Sequence, residues 1–298
     1  MRILVTGASG FVGRHLVALL AAQHASERIA VTAVSRPGSW IPGSRSRWVA
    51  ADLSNSDWIS MLPDEDFDAV IHLAQSRHYR EFPAHAVDIF NVNVKSTLEL
   101  ADWSVKHRVK HFVFTSTGNV YGTGNGVHHE GDCCEPDTMY GVSKLSAEIL
   151  LKPFASLMNV QVLRLFGVYG PGQVDAMLPG VIQQFLAGAE IVLAGNVGVE
   201  FNPIYVDDCS MVIRQLVAGS VQPGYHVLNV GGLETVDLRQ VTELLEKLEP
   251  KKARVRVTAE PPRRLVGSID KLRTAISFQP ATSFAEGLSR ALIVTQKR

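Results

Sequence analysis

"VTGASGFVGRHL", residues 5–16, follows the β-branched run at residues 2–6 and continues into the apolar face of a helix. Gly7 permits a tight turn, Gly10 lets the backbone approach a pyrophosphate, and Gly13 lets the helix pack closely on the strand. The N-terminus of the helix, at Phe11 and Val12, favours the anion. This stretch therefore predicts a dinucleotide site at the first strand-to-helix turn.

The first two thirds of the chain alternate short β-branched runs with helical patterns. Strands are predicted at residues 2–6, 29–34, 69–74, 111–116 and 160–166, and helices at residues 12–22, 87–106 and 140–155. Such alternation is typical of right-handed βαβ units around a parallel sheet that helices cover on both faces. The sequence therefore predicts an α/β fold with a doubly wound parallel sheet of the Rossmann type.

The last third of the chain breaks this rhythm. Short strands are predicted at residues 191–194, 226–230 and 253–257, mixed with helices at roughly 176–187, 207–219, 235–247 and 283–294. We expect residues 1–170 to form a dinucleotide-binding domain, to which the chain returns around residues 200–230. Residues 171–298 are then a smaller, mixed α/β lobe that binds substrate and is interleaved with the first domain.

The composition argues against several classes of partner. Lysine plus arginine and aspartate plus glutamate each total 29 in 298 residues, so no bulk charge points to nucleic acid or to an anionic membrane. No apolar run reaches membrane length, and the opening "RILVTG" leaves no room for a leader. Cys133, Cys134 and Cys209 have neither disulfide nor metal-ligand spacing, and His128 and His129 are expected in a solvated loop. We expect a cytoplasmic protein with free thiols and no metal site.

The end of the second predicted strand bears on the choice of dinucleotide. A carboxylate there would bind the adenosine ribose of NAD, but the strand runs into Ser35 and Arg36. A guanidinium beside a hydroxyl suits the additional 2′-phosphate of NADP, and the alternative is a solvated loop cation. Asp52, followed by Leu53 in "AADLSN", could reach the adenine amine. The sequence therefore favours NADP, with NAD possible.

Two apolar residues close the predicted strand at residues 69–74. Leu73 and Ala74 could pack along the dinucleotide, and core packing explains them equally well. They are kept as candidate cofactor contacts.

The segment "MYGVSK", residues 139–144, places Tyr140 four residues before Lys144. Side chains four apart on a helix share a face. Moving the pKa of a phenol from about 10 to neutrality takes about 4 kcal/mol. One ammonium about 4 Å away supplies roughly that much at an effective dielectric of about 20. The pair could therefore make a tyrosine that exchanges protons near neutral pH, although this spacing also arises by chance.

Several short motifs occur together in a recognisable order. They are "TGASGFVG", "ADL", "HLA", "FTSTGNVYG", "YGVSK", "LRLFGVYGPG" and "IYVDD". In order and spacing they resemble the extended short-chain dehydrogenase/reductases, within the branch of nucleotide-sugar epimerases, dehydratases and reductases. The resemblance runs from residue 1 to about residue 290, because "IDKLRTAISFQPATSFAEGL" is similar to the closing segment of that branch.

The resemblance implies roles for four residues. Tyr140 is the acid/base, Lys144 is its electrostatic partner and a clamp on the nicotinamide ribose, and Thr117 hydrogen-bonds the reacting oxygen. Asn93 matches an asparagine that holds the geometry of the site and of the bound cofactor, or is a buried structural amide. Independently of the resemblance, Thr117 follows a predicted strand and is expected at the carboxyl edge of the sheet, where open α/β folds bind ligands.

The chain also departs from the family pattern. Dehydratase members follow the threonine with an Asp-Glu pair, whereas this chain has Gly118 and Asn119, so a dehydratase is not expected. Many members carry asparagine at the position of Gly167, where it helps to orient the sugar nucleotide. Substrate contacts are assigned to Thr117, Asn119, and Arg263 or Arg264, although the two arginines could equally form a solvated face.

Together these features predict an NADP-dependent oxidoreductase that reduces a nucleotide-linked 4-keto(-6-deoxy) sugar to the 4-hydroxy sugar. The alternatives are a nucleotide-sugar 4-epimerase with tightly held NAD(P), or a reductase of a non-sugar carbonyl. A noncatalytic dinucleotide sensor has no need of Thr117, Tyr140 and Lys144 together. A homodimer is expected.

Overall fold

The computed structural model describes residues 1–22, 29–39, 46–122, 124, 126–219 and 223–296. The strands are β1 (Arg2–Thr6), β2 (Ala30–Ser35), β3 (Arg47–Ala50), β4 (Ala69–His72), β5 (His111–Thr117), β6 (Val127–His128), β7 (Asn159–Leu165), β8 (Val168–Tyr169), β9 (Glu190–Ala194), β10 (Val199–Phe201), β11 (Ile204–Tyr205), β12 (Gly224–Val230), β13 (Val236–Asp237), β14 (Arg254–Thr258) and β15 (Arg263–Gly267).

The α-helices are α1 (Phe11–Ala22), α2 (Ala86–Phe90), α3 (Ser96–Lys106), α4 (Met139–Leu151), α5 (Met177–Ala187), α6 (Val206–Ala218), α7 (Leu238–Leu248), α8 (Asp270–Ile276) and α9 (Phe284–Gln296). Short 3₁₀ turns cover Trp58–Met61, Gly118–Tyr121 and Lys152–Ser156, and a π-helical turn covers Asn91–Lys95.

The chain folds into two compact units that alternate along the sequence. The first comprises Met1–Gly122, Cys133–Arg164 and Ser210–Leu228. The second comprises Thr123–Asp132, Leu165–Cys209 and Asn229–Arg298. The predicted domain boundary at residue 170 stays a prediction.

The large sheet has seven parallel strands in the order β12-β7-β5-β4-β1-β2-β3. Helices cover both faces of such a sheet, so its strands are nearly continuous apolar runs. In agreement with this, all four residues of β4 are buried. The strand order reverses between β1 and β4, and open α/β sheets bind ligands at such a switch point. The predicted Rossmann-type fold is confirmed.

Two predicted helices differ in detail from the structure. The helix predicted at residues 140–155 ends at Leu151 and is followed by the 3₁₀ turn Lys152–Ser156. The pattern at residues 87–106 forms α2, the π-helical turn Asn91–Lys95 and then α3. The π segment is only five residues long, about one turn, which is too short for a periodic sequence pattern to reveal.

The second unit contains a four-stranded sheet in the order β13-β10-β15-β6 and two strand pairs, β11-β8 and β14-β9. Its core is an apolar cluster that includes Phe185, Leu193, Val241 and Leu288. Asn202 is buried there, accepts a hydrogen bond from the Gly267 N–H at 3.0 Å and donates to the Gly267 carbonyl at 2.9 Å. This amide fixes β15 to the segment that follows β10.

His128 does not lie in a solvated loop, so that part of the sequence prediction is wrong. It is buried on β6, which pairs with β15 so that His128 is opposite Gly267. Burial lowers the pKa of His128, while the nearby Asp132 opposes the shift. His129 is exposed, as expected.

Among the described residues, no helix combines the length and the apolar character needed to cross a membrane.

Candidate active site

The glycine-rich turn between β1 and α1 is packed against its neighbours. A Cβ on Gly7 would lie 2.7 Å from the backbone nitrogen of Ala74, and one on Gly13 would lie 2.2 Å from the Gly7 carbonyl oxygen. Both distances are too short for any side chain. The glycines therefore bring the turn and the start of α1 close to the end of β4.

The start of α1 offers backbone donors. The helical hydrogen bonds of α1 begin at Arg14, whose backbone N–H donates to the Gly10 carbonyl at 3.0 Å. The N–H groups of Phe11, Val12 and Gly13 belong to the first turn, which has no intrahelical acceptors for them, and no acidic side chain occupies that turn. Such a turn attracts an anion, so the chain's own residues fit the pyrophosphate of a dinucleotide.

Ser35 and Arg36 lie at the end of β2, as predicted. The Ser35 hydroxyl is buried and accepts a hydrogen bond from Trp48 Nε1 at 2.8 Å, which leaves its own proton available for donation. The Arg36 side chain is half-buried.

Asp52 and Leu53 follow the end of β3, and Leu73 and Ala74 follow the end of β4, two strands of the same sheet that are separated by β1 and β2. The Asp52 Oδ1 atom accepts from the backbone N–H of Ser54 at 3.0 Å and from its hydroxyl at 2.8 Å, so one of its oxygens closes a turn. Leu53 and Ala74 belong to the apolar core, whereas Leu73 is partly exposed. Their contact with a dinucleotide stays a prediction.

Tyr140 lies in the first turn of α4, where the hydroxyl of the preceding Thr138 caps the helix by accepting from the Gly141 N–H at 3.1 Å. The phenol donates to Gln75 Oε1 at 3.0 Å. The Thr117 hydroxyl also hydrogen-bonds the phenol. The structure therefore brings together Thr117 and Tyr140, which lie 23 positions apart in the sequence.

The pKa of Tyr140 departs from the sequence-based expectation. Burial raises it, and the neighbouring Tyr79, whose ring centroid lies 4.8 Å away, adds to the rise. The Thr117 hydrogen bond and the positive charge of Arg80 oppose the rise without cancelling it. The expected lowering by Lys144 is not seen in this structure.

Lys144 is buried, with 1% of its surface exposed. Its Nζ donates to the Thr115 carbonyl at 2.9 Å and lies 4.7 Å from the centroid of the Phe114 ring. Burial lowers the pKa of Lys144 to about 7, although the Glu148 carboxylate opposes the shift. The amine therefore titrates near neutrality and is turned toward β5.

The buried amine has a consequence for stability. In the unfolded chain the Lys144 amine keeps its proton up to about pH 10.5, whereas in the folded protein it keeps it only up to about pH 7. Between these two pH values the unfolded chain therefore binds more protons than the folded protein. The free energy of unfolding should therefore rise with pH across that window. We expect Lys144→Met to be more stable than the unsubstituted protein at pH 7 and to lose this slope, as measured by urea unfolding at several pH values.

Lys106→Met is the matched control, because Lys106 is exposed and paired with Asp102. We expect it to change the unfolding free energy by about 0.5 kcal/mol or less. An unchanged pH slope in Lys144→Met would contradict the assignment.

Asn93 is fully buried in the π-helical turn. Its Oδ1 accepts from the Ser76 N–H at 2.8 Å, and its Nδ2 donates to the Ser143 hydroxyl at 2.9 Å. Ser143 precedes Lys144, and Ser76 follows Gln75. The amide therefore links the segment after β4 to the first turns of α4, and a direct cofactor contact by Asn93 stays a prediction.

A buried ion pair supports the same region, and the sequence reasoning missed it. Arg164 on β7 contacts Glu148 on α4, with Nη2 and Oε2 2.7 Å apart, and Nη1 donates to the Tyr121 hydroxyl at 2.9 Å. The Ser116 hydroxyl donates to the same carboxylate. Glu148 is one turn beyond Lys144, and Ser116 precedes Thr117, so the network fixes the backbone on both sides of the candidate acid/base.

The remaining predicted substrate residues belong to different compact units of the chain. Asn119 lies in the turn after β5, where its N–H donates to the Thr117 hydroxyl oxygen at 3.2 Å. Arg263 and Arg264 are neighbours on β15 in the second unit and therefore point to opposite faces. Arg264 is paired with Glu200 at 2.8 Å, which leaves the exposed Arg263 as the better candidate.

Gly167 explains one departure from the family pattern. Its φ of +64° lies in the left-handed region, which glycine and asparagine adopt more readily than other residues do. The backbone at Gly167 therefore has a conformation that asparagine could also adopt. Compared with family members that carry asparagine at this position, the chain lacks only the amide side chain.

The fold, the glycine-rich turn and the similarity to known proteins define an enzyme of the extended short-chain dehydrogenase/reductase type that uses a nicotinamide dinucleotide. The chain belongs to the NAD dependent epimerase/dehydratase family, whose model matches residues 3–231.

Similar proteins include both epimerases and dehydratases. The chain is 28% identical to an uncharacterized UDP-glucose epimerase, YtcB of Bacillus subtilis, over 98% of this chain and 97% of the relative. It is 26% identical to a dTDP-glucose 4,6-dehydratase of an Actinoplanes species, over 98% and 97% of the two chains. Among solved structures, UDP-glucuronic acid 4-epimerase from Bacillus cereus with UDP-glucuronic acid and NAD has a TM-score of 0.86 and 27% identity, covering 100% and 99% of the two chains.

Proposed function

We propose that this protein is a nucleotide-sugar 4-epimerase that inverts the hydroxyl-bearing C4 of a UDP-linked hexose or hexuronic acid. The observation that carries the proposal is the hydrogen bond from Thr117 to the Tyr140 phenol, in a chain that aligns over its full length with a solved 4-epimerase. The sequence favoured a 4-keto reductase, with a nucleotide-sugar 4-epimerase as the alternative. We now prefer the epimerase, because the solved structure similar to this chain is a 4-epimerase.

The chain's own residues supply the proton chemistry. Tyr140 accepts the proton of the C4 hydroxyl as the ketone forms and returns it to the same oxygen after the ketone has been presented on its other face. The Thr117 hydroxyl holds that oxygen by a hydrogen bond. The Lys144 amine donates to the Thr115 carbonyl in this structure, so it would stabilise the phenolate only after turning toward Tyr140. A bound nicotinamide dinucleotide would accept the hydrogen from C4 as hydride and give it back.

One observation and one measurable difference separate this proposal from the other activities considered. A dehydratase needs an acid and a base beside the threonine, and this chain has Gly118 and Asn119 there. A reductase must exchange its dinucleotide in every turnover, whereas an epimerase regains its starting cofactor. The difference can be measured directly.

The test is incubation of the full-length protein with UDP-glucuronic acid or UDP-glucose and a catalytic amount of NAD⁺ or NADP⁺. We expect the C4 epimer to accumulate with no net change in the absorbance of reduced nicotinamide. In deuterated water, C4 should remain free of deuterium, because the hydrogen that leaves C4 returns to it. Consumption of one reduced dinucleotide per product would instead establish a reductase, and a 4-keto-6-deoxy product would establish a dehydratase.

We also propose that Arg36 determines which dinucleotide binds. No acidic residue occurs between Ser35 and Ala51, so the chain lacks the carboxylate that would favour the ribose of NAD. The half-buried guanidinium would bind the 2′-phosphate of NADP, with Ser35 donating its free hydroxyl proton.

We expect NADP⁺ to bind more tightly than NAD⁺, and Arg36→Ala to narrow the difference by about 1.5–3 kcal/mol, the contribution of a hydrogen bond to a charged group. Isothermal titration calorimetry of both dinucleotides measures this. Arg47→Ala is the control, because Arg47 is an exposed arginine on β3 that pairs with Glu65. Equal affinities in the unsubstituted protein would contradict this assignment.

A further inference from the structure

A positively charged segment follows β4 and contacts the candidate acid/base. From Ala69 to Arg80 the chain contains no acidic residue, and Arg77 and Arg80 close this stretch. Both arginines are exposed. The first turn of α4, which carries Tyr140, contains no acidic residue either. Residues 75–80 therefore bring positive charge, and no negative charge, to the side of the phenol.

Two ring contacts place Arg80 beside Tyr140. The Arg80 Cζ atom lies 5.0 Å from the centroid of the Tyr79 ring, and the centroids of Tyr79 and Tyr140 are 4.8 Å apart. Stacking on an aromatic face holds a guanidinium while its N–H donors remain able to bind another group. Burial raises the pKa of Tyr140, and Arg80 is close enough for its charge to oppose that rise.

The Arg80 guanidinium has no carboxylate within ion-pair distance in the part of the chain that the structure describes. The neighbouring Glu81 faces two histidines instead, with its Oε2 atom 3.1 Å from His78 Nδ1 and 3.2 Å from His85 Nε2. An arginine side chain offers five N–H donors in one plane and no acceptor. Those of Arg80 are therefore available to an anionic ligand.

The chemistry of a nucleotide sugar indicates which anion that would be. The diphosphate is attached to C1, across the six-membered ring from C4. A negative charge next to C4 must therefore belong to the sugar itself. C5, which is bonded to C4, carries a carboxylate in a hexuronic acid and an uncharged hydroxymethyl group in a hexose. With the C4 oxygen at Tyr140, that carboxylate is the anionic group nearest to the phenol.

We propose that Arg80 binds the carboxylate of a UDP-linked hexuronic acid and makes this sugar the preferred substrate over the uncharged hexose. The inference rests on the proposed epimerase function and chooses between the two substrate classes named there. Guanidinium and carboxylate are planar groups that can form two parallel hydrogen bonds. A carboxylate near Tyr140 would also oppose formation of the phenolate, and the charge of Arg80 offsets that effect.

The test compares the binding of UDP-glucuronic acid and UDP-glucose to the full-length protein with saturating NAD⁺ or NADP⁺. Isothermal titration calorimetry is done in the Tyr140→Phe variant, which keeps the ring against Tyr79 and prevents turnover. We expect UDP-glucuronic acid to bind more tightly. Adding Arg80→Met should weaken its binding at least ~10-fold, as expected for a lost hydrogen bond between charged groups, and leave UDP-glucose affinity unchanged. Arg80→Lys should recover part of the loss, because it restores the charge without the paired donors.

Arg77→Met is the matched control. Arg77 is an exposed arginine of the same segment that makes neither an ion pair nor a ring contact with the described residues. Its substitution should leave both affinities unchanged. Equal affinity for the two sugars in the presence of Arg80, or the same loss in Arg77→Met as in Arg80→Met, would overturn the inference.

Failure of this inference can be distinguished from failure of the proposed function. Epimerisation of both sugars by the unsubstituted protein with equal kcat/KM would retain the epimerase and overturn the role of Arg80. Selective binding of UDP-glucuronic acid that Arg80→Met abolishes, without any epimerised product, would retain the role of Arg80 and overturn the epimerase. Binding of neither sugar would overturn both.

Discussion

Tyr140→Phe is expected to lower turnover of the nucleotide sugar by about 10²–10⁴-fold, the contribution of a positioned acid/base. The phenol is the group on which the Thr117 hydroxyl converges, and phenylalanine keeps the ring against Tyr79 while removing the atom that moves the proton. The lost hydrogen bond to Gln75 should cost only about 1 kcal/mol of stability. Steady-state epimerisation and calorimetric dinucleotide binding measure the two effects separately.

Tyr225→Phe is the matched control for this substitution. Its hydroxyl also makes one hydrogen bond, to the Glu148 carbonyl at 2.9 Å, so the chemical change is the same. We expect it to retain most of the activity. If Tyr140→Phe did so as well, another residue would have to move the proton.

Arg164→Met is expected to destabilise the protein by about 3–5 kcal/mol, the usual cost of leaving one member of a buried ion pair without its partner. The Glu148 carboxylate is only 1% exposed, so water cannot replace the lost guanidinium. The double variant Glu148→Met/Arg164→Met should recover much of this loss, because it leaves no isolated charge in the core. Urea unfolding at constant pH gives both values.

Arg108→Met provides the comparison at the surface. Arg108 pairs with Asp66 at 2.9 Å, but 81% and 51% of the two side chains are exposed. Its loss should cost about 1 kcal/mol or less. A similar cost for Arg108→Met and Arg164→Met would show that the buried pair is not needed for stability.

The sequence predicted the parts of this fold that depend on repeated local patterns. The apolar strands of the large sheet and the longer helices extend over enough residues for periodicity to be read, and the glycine-rich turn has fixed spacing. The strands β6, β8, β11 and β13 are only two residues long and depend on pairing with distant segments. For the same reason, the burial of His128 could not be read from its neighbours in sequence.

The sequence predicted that Tyr140 and Lys144 share one helix, but it did not predict the electrostatics of the pair. The spacing of Tyr140 and Lys144 identified a pair on one helix, and a charge near a phenol was expected to lower its pKa. The structure shows that burial dominates, raising the pKa of Tyr140 and lowering that of Lys144. Gln75 and Tyr79 were missed because contacts between a loop and a helix leave no periodic signal in the sequence.

Because of the π-helical turn at Asn91–Lys95, the loss or gain of one residue in this segment should disturb the structure strongly. A π turn accommodates about one residue more than the same rise of α-helix. Loss of a single codon there would let α2 and α3 join as a regular helix, rotated by about 100° on one side of the deletion. The Asn93 amide would then face away from Ser76 and Ser143. A deletion in this segment would therefore be far more damaging than most point substitutions there, and alignments of relatives should place their gaps elsewhere.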